Sequence, residues 1–435
     1  MKKQTSLLIA LAMSSSLAKA NENTVVMSTV PAKATEQVTL SNYTQVPFNT
    51  WAFSNMGIHP SLMVSRSGDI NALPVNLKPT YSAHEFEYGG KKINFQAAMI
   101  EDRTDGYIIL HKGEVVHEAY FGDFSEKTHH LWASSTKSLV GQALGLLVEQ
   151  GKVDPNELVS RYIEELKGTH FGDQTVRTLL NMTTGLNYSE DYVNMNPNDV
   201  HYEYFRRLGF IPAYDLMALD PTKTDEPRGL LSFASMFEAN EDLEPNVNFE
   251  YHSPNVDVIG WIISRVSGQP LDKFISDNIW SKLGVEHDAF FMADMTYQPI
   301  ATGGFNTTLR DFARVGLAME NDGKYNGEQV FSQAWVKDSF SLTDEERKHT
   351  KGSIYKDDSS SAFDSNLEGY KNFLWVHDSV NNVATFRGVF GQILYINQEK
   401  ELVIAAFSSA DSASNASRET NKQRMAAFES LADSL

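Results

Sequence analysis

The chain has 435 residues, 41% hydrophobic and 21% charged, enough for a large core and two or three domains, and unlike a disordered or collagen-like chain. A formal net charge of -19 argues against nucleic acid or anionic lipid as a partner. The absence of cysteine removes disulfides, thiolate zinc sites, cysteine nucleophiles and a lipid-modified N-terminal cysteine.

Residues 1–20 read as a cleavable signal peptide. Lys2 and Lys3 precede an apolar run over 7–13, and Ala18-Lys19-Ala20 is a small-x-small cleavage site. That run is too short to span a bilayer, and no later stretch is long and apolar enough. A soluble, exported and periplasmic protein is expected. Residues 21–100 carry scattered Pro, Ser, Thr and Asn with weak periodicity, and read as a surface-hugging N-terminal arm with few regular elements. A β-hairpin follows, residues 107–110 and 115–121 around a Gly113 turn. Residues 138–148 place Leu139, Val140, Ala143, Leu144 and Leu147 on a broad helical face, ended by Gly151.

From about 155 to 345 the pattern is mainly helical. One buried helix is predicted over 255–266, and another over 309–319 with Arg310 and Arg314 facing outward. The polar stretch 348–365 reads as a mobile surface loop. Residues 392–396 and 402–407 form a second hairpin, and a last helix runs from about Asn421 with Met425, Phe428 and Leu431 buried. Strands at both ends with helices between them predict an α/β (α+β) fold: an antiparallel sheet flanked by helices, plus a mainly helical insert, with a substrate cleft between the lobes.

The chain has no His-Glu-x-x-His, P-loop or Gly-x-Ser-x-Gly sequence. His129 and His130 are adjacent and point apart, so no metal site is expected. Ser134-Ser-Thr-Lys137 opens the helix over 138–148. Residues i and i+3 share a helical face, so the Lys137 amine can reach the Ser134 hydroxyl. The helix N-terminus favours a developing oxyanion, and its field with partial burial favours the neutral amine as a base. A second Ser-x-x-Lys, Ser353 to Lys356, lies in the polar loop with no apolar helix after it and reads as a chance match. A proton relay needs a hydroxyl near both groups. Tyr251-His-Ser253, at a loop-to-helix junction, is the candidate; Tyr192, Tyr370 and Tyr395 each head a Tyr-x-Asn, and Tyr395 lies in a predicted strand.

With these residues in order, the sequence resembles the β-lactamase-related serine hydrolases, a group that includes class C β-lactamases, esterases and 6-aminohexanoate-oligomer hydrolases. The resemblance runs from about 105 to 409 through residues 131–139, 175–186, 251–261 and Gly303-Gly304 followed by 310–314. It implies a β-lactamase/penicillin-binding-protein-like fold over 101–435, with Ser134 as nucleophile, Lys137 as base and Tyr251 as relay. It also implies an oxyanion hole from the Ser134 and Val389 N–H groups, and substrate contacts from Ser253, Gly388, Gln392 and, on a rim loop with Tyr192, Tyr188.

The sequence departs from that pattern at the third motif. Where class C β-lactamases have Lys-Thr-Gly, this chain has Phe386-Arg387-Gly388, with Arg387 expected on the opposite strand face. Gly388 and Gly391 can equally serve close backbone packing. The expected activity is that of a carboxylesterase or amidase acting through an acyl-enzyme on Ser134, without metal or cofactor, on a small ester, amide or short peptide-like substrate. The alternatives are a class C β-lactamase or D-alanyl-D-alanine carboxypeptidase, and a catalytically silent ligand-binding protein.

Overall fold

A computed structural model describes residues 26–190, 196–211, 229–351, 353, 367–415 and 418–435. The signal-peptide reading of residues 1–20, Tyr192 and most of the predicted loop 348–365 therefore lie outside the described residues.

The strands are β1 (Ser61–Val64), β2 (Glu85–Tyr88), β3 (Lys91–Asn94), β4 (Thr104–His111), β5 (Glu114–Tyr120), β6 (His130–Leu131), β7 (Ala289–Met292), β8 (Phe305–Thr307), β9 (Lys324–Tyr325), β10 (Glu328–Gln329), β11 (Gly369–Lys371), β12 (Leu374–Asp378), β13 (Val383–Gly388), β14 (Gln392–Asn397) and β15 (Leu402–Ser408). Among the described residues the main sheet is seven-stranded and antiparallel, in the order β11-β12-β13-β14-β15-β4-β5. Both chain ends build it, because the predicted hairpins β4–β5 and β14–β15 pair edge to edge, Ile109 opposite Ile404.

The central strands are apolar at nearly every position because both faces are covered. Ile108, Leu110, Val403, Ala405 and Phe407 face one hydrophobic cluster with the helices Ser135–Glu149 and Leu309–Glu320. Tyr107, Ile109, Leu402, Ile404 and Ala406 face another, with Phe95 and Met99 of the helix Phe95–Glu101 and Met425, Phe428 and Leu431 of the last helix, Glu419–Asp433. The two-residue period of the strands sorts the side chains between them.

The helix Ser135–Glu149 is buried on all sides through Leu147. Its small residues let neighbours approach: a Cβ added at Gly145 would lie 2.2 Å from Trp335 Cδ1. Gly145→Ala is therefore expected to destabilise the fold by about 1–3 kcal/mol, the usual range for overpacking. Urea unfolding followed by tryptophan fluorescence measures this, as a lowered midpoint.

Three expectations are corrected. Residues 26–101 hold β1, β2, β3 and the helices Phe48–Phe53, Pro79–Ser82 and Phe95–Glu101, with Phe53, Met56, Val64, Phe86 and Phe95 buried. These elements are too short for periodicity to register, and β1 finds its partner in β7, far along the chain. Arg314 is fully buried, bonded to Asp311, Glu286 and the Asn71 carbonyl, while Arg310 is partly exposed and pairs with Glu118 on β5. An ion-pair network thus turns inward what the helical period places outside. The start of the predicted loop is helical, Asp344–Lys351.

A second sheet, β1-β7-β8-β6, positions the site. It pairs Leu131 with Asn306, and the Trp132 N–H donates to the Phe305 carbonyl at 2.9 Å. The turn before residue 305 is thereby held against the start of the helix Ser135–Glu149.

Candidate active site

Ser134 is the N-cap of that helix, yet its hydroxyl makes no capping bond and is left for other partners. Ala133, just before it, has φ 47°, a left-handed conformation unusual for a residue with a Cβ. Thr136 Oγ1 donates to the Ala133 carbonyl at 2.7 Å and fixes this elbow. One turn on, Lys137 is buried, with Nζ 2.8 Å from Ser134 Oγ, and it donates to the Thr302 carbonyl at 2.7 Å.

The helix Pro254–Ser267 packs against Ser135–Glu149 and begins with proline, favourable at a first helical position. Tyr251 lies just ahead of it, stacked on Trp375 with ring centroids 5.5 Å apart. Lys137 Nζ is 5.1 Å from the Tyr251 ring centroid, and Ser134 is a polar neighbour of the Tyr251 phenol. The serine hydroxyl thus has the amine and the phenol as neighbours.

Burial pushes Lys137 down to about 8, against the opposing pull of Glu190 and Asp257. Burial first, then the Glu190 carboxylate, drives Tyr251 well above the ordinary phenol range, while Ser134 acts the other way. The neutral amine is accordingly easier to reach than on an exposed lysine, and the phenol keeps its proton.

A set of residues not anticipated from sequence holds Lys137. Asp257, buried and pushed up to about 7 chiefly by burial, accepts the Thr302 N–H at 3.1 Å and the Tyr204 hydroxyl at 2.5 Å. On the other side of the same residue, the Thr302 carbonyl accepts from Lys137. Glu190 accepts the Ser253 N–H at 2.5 Å. The i,i+4 spacing of Ser253 and Asp257 on one helix was the available clue to Asp257; nothing local marked Thr302 or Tyr204.

Ser134, Lys137, Ser253 and Val389 line one cavity of about 430 Å³, together with Thr302 and Gly303. Gly388 stands behind it: an added Cβ would be 2.4 Å from the Trp132 carbonyl, so the glycine lets β13 press against the elbow. Val389, the next residue, lines the same cavity as Ser134.

Two expected substrate contacts are corrected. Gln392 is buried, its amide donating to the Ser408 carbonyl at 2.7 Å and accepting the Ser408 N–H at 3.1 Å, so it clamps β14 to β15. Tyr188 is buried against Tyr204, Phe237 and His252, with its hydroxyl 2.8 Å from His201 Nδ1. Neither lines the cavity. Arg387 bonds Thr385 Oγ1 at 3.0 Å and lies 3.1 Å from His377 Nε2, also away from it. Ser353 is buried at the end of the helix Asp344–Lys351, outside the cavity lining, and Lys356 lies outside the described residues. Tyr395 packs on Phe428, as its strand position predicts.

Comparison with known proteins gives a consistent result. The Beta-lactamase family profile matches residues 95–427. The chain is 30% identical over 380 residues to the 6-aminohexanoate-dimer hydrolase of Paenarthrobacter ureafaciens, covering 87% of this chain and 90% of that one. A solved structure from Bacillus anthracis, provisionally assigned as a 6-aminohexanoate-dimer hydrolase, superposes with a TM-score of 0.77 at 24% identity, over 92% of this chain and 98% of that one. A family VIII carboxylesterase shares the fold with a TM-score of 0.55 at 16% identity, over 77% of this chain and 95% of that one.

Proposed function

The chain belongs to the Beta-lactamase family of hydrolases, and from that premise we propose that it is an exported serine hydrolase cleaving an ester or amide through an acyl-enzyme on Ser134. The observation that carries this reading is the Lys137 amine 2.8 Å from the Ser134 hydroxyl, inside a cavity and opposite Tyr251. Lys137 accepts the Ser134 proton as Oγ attacks the substrate carbonyl. The Ser134 and Val389 N–H groups receive the oxyanion, a role that places no demand on the valine side chain. Tyr251 passes a proton to the leaving alcohol or amine, and the acyl-serine remains. Water then attacks that ester, releases the acid and restores the Ser134 hydroxyl.

Export is inferred from residues 1–20, with a periplasmic destination; no described helix is long and apolar enough to cross a membrane. The relative named for a 6-aminohexanoate dimer supports an amide or ester over a β-lactam. So does Phe386, which lies in the core where β-lactamases carry the lysine that meets the substrate carboxylate. Purified protein assayed on p-nitrophenyl butyrate, a linear p-nitroanilide and nitrocefin is expected to turn over at least one of the first two with kcat/KM about 100-fold or more above nitrocefin. The reverse order would favour the β-lactamase reading, and inertness to all three with retained ligand binding would favour a silent binding protein.

A further inference from the structure

The cavity at Ser134 is lined by the reacting groups, a few hydroxyl side chains and a larger set of apolar ones. Tyr43, Phe53 and Met56 wall one side, contributed by the N-terminal segment ahead of the profile match, and Phe205, Phe210 and Phe390 wall others. Among the described residues that line it, Lys137 is the sole Lys, Arg, Asp or Glu. That amine is already engaged by Ser134 and the Thr302 carbonyl at the reacting end. Phe390 has φ 62° and ψ 16°, a costly left-handed backbone for a residue with a Cβ, and its ring lies 5.2 Å from that of Phe53. A strained phenylalanine held at a cavity wall points to a use for its ring there.

We propose that this cavity selects an uncharged hydrophobic group on the substrate, an aliphatic chain or aromatic ring attached at the scissile carbonyl or its leaving group, and rejects substrates ending in a carboxylate. The selection rests on Ser134 acting as the nucleophile. Phe390 and Phe210 set it by contact, and the N-terminal segment completes the apolar wall. A carboxylate carried into the cavity would lose its hydration with no free cation among the described lining residues to replace it. The acidic chain, at net charge -19, adds repulsion at longer range.

The test is kcat/KM on two matched ester series with the full chain. One varies the acyl group of p-nitrophenyl esters: acetyl, hexanoyl and the adipic half-ester, which ends in a carboxylate. The other varies the alcohol of butyrate esters: ethyl, hexyl and a 6-carboxyhexyl group, followed by pH-stat. In at least one series the hydrophobic member is expected to exceed the short one by about 10-fold or more, the scale of added methylenes in an apolar pocket. The carboxylate member should fall about 100-fold below its neutral counterpart. Phe210→Lys is expected to narrow that gap by about 10-fold, and Phe390→Gly, which relieves the backbone strain, to shrink the hydrophobic preference about fivefold. Carboxylate and neutral members within threefold of each other in both series would overturn the proposed selection and leave the hydrolase reading standing. No turnover in either series, with Ser134 unreactive to a fluorophosphonate, would overturn both.

Discussion

Removing the Lys137 amine or the Tyr251 hydroxyl is expected to lower kcat by about 100-fold or more in each single variant, Lys137→Ala and Tyr251→Phe, the scale of a positioned acid–base group. Combining the two should cost little beyond the worse single change. Both groups neighbour Ser134, the amine at 2.8 Å from its hydroxyl, and a proton route broken at one point gains little from the other. Tyr251→Phe keeps the ring on Trp375 and removes only the phenol oxygen, so a folded variant within threefold of the parent kcat would remove Tyr251 from the mechanism. The pH profile has a determined sign. Burial lowers Lys137 to about 8, so activity should rise with pH through a limb near that value as the amine loses its proton. From about pH 8 to the ordinary lysine value, the unfolded chain holds a proton that the folded chain has released. The contribution of Lys137 to stability should therefore rise with pH in that window.

The second large effect is expected at Gly388, which carries no reacting group. In Gly388→Ala the new methyl would meet the Trp132 carbonyl at 2.4 Å, Gln392 Cβ at 3.0 Å and Ala133 Cβ at 3.1 Å. The nearest atom is backbone held in the second sheet, so β13 has to withdraw from the elbow. Val389 would withdraw with it, and its N–H would no longer be aimed at the oxyanion. A misplaced donor of this kind costs about 100-fold in kcat. Stability should drop by about 1–3 kcal/mol from the overpacking itself. Steady-state kinetics beside thermal unfolding separates the two. A variant with lowered stability but parental kcat would show that Gly388 serves packing alone and that Val389 is not the donor.

The parts of this site legible in the sequence are those with a local signature. Ser134 and Lys137 declare themselves by spacing ahead of an apolar helix, and Tyr251 by its place at the start of another. The hairpins around Gly113 and between β14 and β15 follow from two apolar runs across a short turn, and both appear in the main sheet. What could not be read depends on contacts between distant segments. Residues 40–56 wall the cavity because the fold lays them there; within their own stretch nothing distinguishes them from a surface arm. Asp257 and Lys137 meet across residue 302, one at its N–H and the other at its carbonyl, and Arg314 turns inward only because Asp311 and Glu286 wait for it. Gln392 shows the converse error. Its family motif suggested substrate, but its amide is consumed by the Ser408 backbone.

The identity of the nucleophile is tested most directly by mass. A fluorophosphonate probe, which marks only an activated serine, should add one increment to the protein, on the peptide that carries Ser134. Ser134→Ala should abolish the adduct, and Lys137→Ala should slow its formation while leaving the site unchanged. An adduct on Ser353, or one that survives Ser134→Ala, would contradict the assignment.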